Sequence, residues 1–124
     1  MTDAGSTWRL SDFVELDHRQ CLDYLQQSRR GHLAATRSAL PIVIPVELTW
    51  LAGRLLIASS RGDGLDLSPG SVVALEVDEP GPLTSTNWSV LAQGVLEPVQ
   101  VEQVARAHLA FRFELLSGWQ RTLD

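Results

Sequence analysis

No lysine occurs anywhere in the 124 residues; all ten basic side chains are arginine. That absence excludes a Schiff-base lysine, a phosphate-loop lysine and a lysine general base together. Any anion held by this chain must therefore be held by arginine, hydroxyls or backbone N–H groups. Cysteine is nearly absent too. Cys21 is alone, so no internal disulfide can form, as expected of a protein in a reducing compartment such as the cytoplasm. Long apolar runs are missing as well. The longest, Ala39 to Val46, contains two prolines and is followed by Glu47, far short of the roughly 20 residues of a bilayer span. The first residues, Met-Thr-Asp-Ala-Gly-Ser, carry neither a basic region nor an apolar signal core, so a cytoplasmic, membrane-free protein is expected. Positive charge is in deficit, with ten basic residues against fifteen acidic and a net charge of −5. The arginines are scattered, so the positive footprint of a general nucleic-acid binder is missing.

What is present is enough for one domain with one core, since 44% of the residues are apolar. Residues 1–15 read as a flexible arm and 16–124 as the folded domain. A helix is expected over about 17–30. Asp17 and Gln20 have capping-box spacing, Leu16 and Cys21 the spacing of a hydrophobic staple. Cys21, Leu22 and Leu25 form the apolar stripe. Arg29 and Arg30 suit the negative end of the helix dipole, and Gly31 a C-terminal stop.

Beyond Gly31 the period becomes two. Strands are expected at His32–Thr36, Pro41–Trp50, Leu55–Ser60, Val72–Asp78, Trp88–Val99 and Leu109–Leu115. Ile42, Ile44, Val46, Leu48 and Trp50 share one face of the second. Leu51–Arg54 is a hairpin turn, Arg61–Gly70 and Glu79–Thr86 are loops, and Glu102–Ala107 is a short helix. Six mostly antiparallel strands with few helices form a mainly β protein whose edges are best removed by closure into a barrel. So small a barrel gains buried surface by pairing with a second copy.

The succession "CLDYLQQSRRGHLA" (21–34), "PIVIPVELTW" (41–50), "GRLLIASSRGDGL" (53–65), "VVALEVDE" (72–79), "NWSVLAQGVLEPV" (87–99) and "FRFELLSGWQR" (111–121) resembles the pyridoxamine 5′-phosphate oxidase-like family of FMN-binding split barrels. The resemblance implies a six-stranded antiparallel split β-barrel with an N-terminal helix and short connecting helices, working as a homodimer. It also implies two flavin sites at the subunit interface. The ring would rest on Ile44, Pro45, Val46 and Glu47. The ribityl and phosphate groups would lie along Ala58, Ser59, Ser60 and Arg61, reaching Gly64 and Leu65. Trp88 and Ser89 would come from the partner subunit. FMN is the expected cofactor, a deazaflavin the variant, and a small molecule the substrate of an oxidoreductase.

One departure bears on this. The most similar members carry Gly-Ser-Lys-Leu where this chain has Gly62-Asp63-Gly64-Leu65, so Gly64 stands at the phosphate lysine. Asp63 and Asp66 repel a phosphate, and Arg61 is the local cation left to oppose them. Weak FMN binding, a less anionic ligand and a non-catalytic ligand-binding or sensor barrel without flavin all remain open.

Other candidates have plainer readings. Trp88 lines a ligand cleft or packs in the core or dimer interface; Trp50 and Trp119 pack. Glu47 is a proton donor beside the ring or faces solvent. Arg61, Ser59 and Ser60 contact a ligand or are simply solvated. His18, His32 and His108 lack ligand spacing, so no metal is expected, and Cys21 is inert core.

Overall fold

A computed structural model describes residues 13–62, 64–79, 87–99 and 108–121. The order is β1 (Phe13–Glu15), α1 (His18–Gln27), β2 (Arg30–Arg37), β3 (Leu40–Leu51), β4 (Arg54–Ser59), β5 (Val72–Asp78), β6 (Asn87–Glu97) and β7 (Leu109–Arg121). All pairings are antiparallel. They run β7–β4–β3–β2–β5–β6 and return to β7, closing a six-stranded barrel. The expected six strands are the barrel wall. A seventh, β1, adds to the end of β7, so Phe13–Glu15 leave the arm to which the sequence assigns them. The arm's residues 1–12 and the expected helix Glu102–Ala107 lie outside the described residues.

The capping box forms as expected: the Asp17 carboxylate accepts from the Gln20 N–H at 2.8 Å, and the Asp17 N–H donates to Gln20 Oε1 at 2.9 Å. Leu16 and Cys21 are buried around that cap, and Leu25 buries the next turn. The helix stops earlier than its expected end. Ser28 is the C-cap, its Oγ donating to the Tyr24 carbonyl at 2.8 Å. Arg29 therefore lies beyond the helix and Arg30 opens β2, so neither sits in the last helical turn. Gly31 is no helix stop but a strand residue. A Cβ there would meet the Glu76 carbonyl oxygen at 2.8 Å, so its lack of a side chain lets β2 approach β5.

On β3, Val46 and Leu48 are buried, Ile42, Ile44 and Trp50 half-buried, and the alternate residues exposed, which is the expected phase. Val73, Leu75 and Val77 of β5 face the same core with Leu33, Leu55, Ile57, Val90 and Leu96. The last strand runs to Arg121, six residues beyond its expected end. Between Gln93↔Leu115 and Gly94↔Phe113 the β6–β7 register shifts, leaving Glu114 without an opposite residue. Such a bulge bends and twists a strand, helping a small sheet to close. Trp50 packs edge-to-face on Phe113 at 6.3 Å. Trp119 meets Phe13 at 4.8 Å but remains 39% exposed, so packing describes it only in part. Among the described residues, no helix is long and apolar enough to cross a membrane.

Candidate functional site

Strand register brings four distant residues into one row across the sheet. The Ser60 N–H donates to the Pro45 carbonyl at 3.0 Å, Pro45 pairs with His32, and His32 pairs with Glu76. Neighbouring strands lie about 4.8 Å apart, so Ser60, Pro45, His32 and Glu76 floor a continuous surface. They line an open cleft of about 720 Å³ with the end of α1, the start of β2, and Trp88, a size suited to a small ligand. Trp88 is 8% exposed and stacks on Tyr24 with centroids 4.2 Å apart and planes 19° from parallel. The Tyr24 hydroxyl donates to Gln120 Oε1 at 2.5 Å, which anchors the pair. Trp88 is thus both packed and part of the cleft wall.

Pro45 also borders a second, smaller cleft of about 350 Å³, lined by Ile42–Ile44, Ser59, Arg37, Arg61 and the Gly64–Asp66 turn. Arg37 was not foreseen in this role. Its guanidinium donates to the Leu65 carbonyl at 3.2 Å and lies 3.6 Å from the Asp66 carboxylate. That pair is solvent-exposed, so it contributes no more than about 1 kcal/mol and holds Arg37 only loosely. The sequence leaves Arg61 as the local cation; the structure adds Arg37, which lines the same cleft and pairs with Asp66. Asp63 lies outside the described residues. Ser59 is buried, its Oγ accepting from the Arg61 N–H at 3.3 Å. Leu65 is 3% exposed and ties the turn to the core.

Of the expected contact residues, Pro45, Val46, Ser60 and Trp88 border the larger cleft; Trp88 does so from the same chain as Pro45, where the resemblance implies Trp88 of a partner subunit. Ile44, Pro45, Ser59, Arg61, Gly64 and Leu65 meet in the smaller. Glu47 and Ala58 pair with each other and line neither. Glu47 is exposed, which is the solvent-facing alternative. Ser89 also lines neither, but its hydroxyl donates to Glu76 Oε2 at 2.9 Å in the cleft wall.

Glu76, like Arg37, is a cleft residue that sequence reasoning missed. Burial pushes its carboxyl above the usual range, and a hydrogen bond with Asp78 pushes it further, while Ser89 and His32 pull it down. A carboxyl whose folded pKa is raised stabilises the fold below the ordinary glutamate range. That contribution is lost as pH rises through the raised value. Glu76→Gln is accordingly expected to flatten the pH dependence of Tm over that interval, with a higher Tm at its alkaline end. Thermal unfolding at a series of pH values checks this. Burial likewise raises the Cys21 thiol, aided by Asp17 and Glu15; with the side chain fully buried, this is an inert thiol. No group of metal-binding side chains occurs among the described residues.

A closed six-stranded barrel with two clefts that share Pro45 of β3 defines a class, and the sequence places the chain within it. The chain belongs to the pyridoxamine 5′-phosphate oxidase family, whose sequence model matches residues 17–123. It is 32% identical over 102 residues to the uncharacterized protein Rv0080 of Mycobacterium tuberculosis, covering 77% of this chain and 67% of that one. In fold it is similar to the FAD binding protein from Mycobacterium smegmatis (TM-score 0.70, 20% identity, 87% of this chain and 97% of that one). It is also similar to an FAD-binding protein from Mesorhizobium loti (TM-score 0.70, 19% identity, 89% and 97%). A putative pyridoxamine 5′-phosphate oxidase from Corynebacterium glutamicum shares the fold as well (TM-score 0.68, 19% identity, 91% and 96%).

Proposed function

We propose that this chain is a cytoplasmic, homodimeric flavin-binding protein of the oxidoreductase type, with FMN as its cofactor and a small molecule as its substrate. The observation that carries the reading is the pair of clefts that share Pro45, one walled by Trp88 and the other bordered by Arg37 and Arg61, which we read together as one groove. A flavin nucleotide needs this polarity, an apolar seat for a planar ring and cationic or hydroxyl donors for an anionic tail. The residues fit: Pro45 and Trp88 would flank the ring, with Val46 packed in the core beneath them, and Ser59, Arg61 and Arg37 would border the tail. A bound flavin supplies the hydride chemistry, while the chain binds, orients and shields. Val43 and Leu40, each 66% exposed, flank this groove on β3. A second copy covering them would complete the site, and light scattering is expected to give the mass of two chains.

The test is a fluorescence-quenching titration with riboflavin, FMN, FAD and a deazaflavin. FMN is expected to bind at least tenfold more tightly than riboflavin, from one charge-assisted contact of roughly 1.5–3 kcal/mol. FAD belongs in the series because two neighbours of this fold are FAD-binding proteins. Equal, negligible binding of all four would refute the reading.

Gly64 favours a second reading on the same groove, a ligand-binding or sensor barrel without turnover. A Cβ at Gly64 meets nothing within 4 Å, so a side chain can start there without a clash. Gly64→Lys is expected to tighten FMN binding about tenfold by adding a cation to the tail. An unchanged affinity in the same titration would mean that the tail does not pass Gly64.

A further inference from the structure

Alternation along β2 turns Gly31, Leu33 and Ala35 inward and buried, with His32, Ala34 and Thr36 exposed between them. Arg37 follows in the inward phase, so a cation stands on the core side of the sheet at the end of the barrel. Ser59 does the same on β4, in phase with the buried Leu55 and Ile57. The backbone of Arg37 is fixed. Its pairing with Leu40 closes the two-residue turn Ser38–Ala39, whose φ values of 52° and 65° are of the sign such a hairpin requires. Its guanidinium is held by the turn after β4: it donates to the Leu65 carbonyl at 3.2 Å and forms an ion pair with Asp66 at 3.6 Å. Those two partners differ in freedom. Leu65 is anchored in the core, whereas the Asp66 side chain is 83% exposed. Among the described residues that line the smaller cleft, Asp66 is the one carboxylate beside two arginines.

We propose that Asp66 is a built-in competitor for the anion of the smaller cleft: its carboxylate occupies Arg37, and a phosphate group binds by displacing it and engaging Arg37 together with Arg61. For the FMN tail, this inference rests on the flavin reading of the groove. Arg37 then supplies, from the β2–β3 hairpin, the charge that Gly64 lacks, and Asp66 sets how readily that charge is given up.

The exchange is physically cheap. A guanidinium has five N–H donors, and the Leu65 carbonyl takes one from NH2, so Arg37 stays at the cleft when Asp66 leaves. The freed donors suit a phosphate, whose oxygens accept charge-assisted hydrogen bonds from a planar fork. Asp66 loses only an exposed ion pair, and water recovers its carboxylate. While it stays in place, it both occupies Arg37 and repels the incoming anion. Its φ of +57° lies in the left-handed region, which Asp and Asn visit more readily than other residues with a side chain. Asparagine therefore removes the charge without disturbing the turn.

Inorganic phosphate, titrated into the full chain at constant ionic strength and followed by the side-chain Nε–H resonances of Arg37 and Arg61, tests this without a flavin. Saturable shifts of both resonances are expected for the natural sequence. Asp66→Asn is expected to tighten phosphate binding about fivefold, the size of one exposed ion pair. Asp66→Gly should do the same, since glycine also accepts this φ. With Arg37→Ala in the background, the gain from Asp66→Asn should shrink to within about twofold, because the two residues act as a coupled pair. FMN should gain by the same factor as phosphate in Asp66→Asn, and riboflavin not at all. An affinity unchanged in Asp66→Asn, a full gain that survives Arg37→Ala, or phosphate that binds none of these forms overturns the proposal. FMN binding to the natural sequence in any of those cases leaves the flavin reading standing. Should phosphate behave as expected while no flavin binds, the flavin reading fails and the displaced Asp66 stands.

Discussion

Arg61→Glu is expected to weaken FMN binding by about a hundredfold while leaving riboflavin binding within about twofold. A hydrogen bond to a charged group contributes roughly 1.5–3 kcal/mol, and 1.4 kcal/mol is a factor of ten. Removing the guanidinium alone therefore costs at least tenfold. Placing a carboxylate beside Asp66, at the mouth of the smaller cleft, adds repulsion on top of that loss. The effect should not reach abolition, because Arg37 borders the same cleft and its tie to Asp66 is a weak, exposed one. Reversing both arginines should remove the preference for FMN over riboflavin altogether. Fluorescence titration at constant ionic strength measures each step. Equal losses for riboflavin and FMN would place Arg61 against the ring and not the phosphate.

Gly94→Val is expected to cost at least about 3 kcal/mol and to lower Tm on the order of 10 °C. A Cβ at Gly94 would overlap the Arg112 carbonyl oxygen outright and stand 2.6 Å from Phe113 Cα. The obstacle is backbone, which cannot rotate away as a side chain would. It also lies at the register shift where β6 and β7 close the barrel, so relief of the overlap opens the wall. Alanine at this position should already be destabilising. Gly64→Ala, with open space around it, serves as the control and should leave Tm unchanged. Thermal unfolding followed by circular dichroism separates the two. A Gly94→Val protein as stable as the natural one would contradict the β6–β7 register.

Local chemistry made much of the fold legible in the sequence. Asp17 and Gln20 announce the helix start because the capping box needs only residues three apart. Strand β5 keeps strict alternation, so its limits, Val72 and Asp78, are read directly. β7 fails that test because the bulge at Glu114 resets its phase and Leu115 is left exposed. The end of α1 was misread because Gly31 has two possible meanings, a helix stop or a close strand approach. Only the neighbouring β5 backbone decides between them. The site shows the same division. Pro45, Ser59, Ser60, Arg61 and Trp88 stand in recognisable strand ends. His32 and Glu76 are 44 residues apart and meet only through β2–β5 register. Arg37 reaches the smaller cleft only because the turn after β4 folds back to its side chain.

The central claim is that the groove through Pro45 holds a flavin, and the most direct measurement is the visible absorbance of the purified protein followed by titration with FMN. A flavin spectrum on purification, or saturable micromolar binding with a stoichiometry near one per chain, is the predicted result. A colourless protein that leaves added FMN spectrally unchanged at every concentration would contradict it.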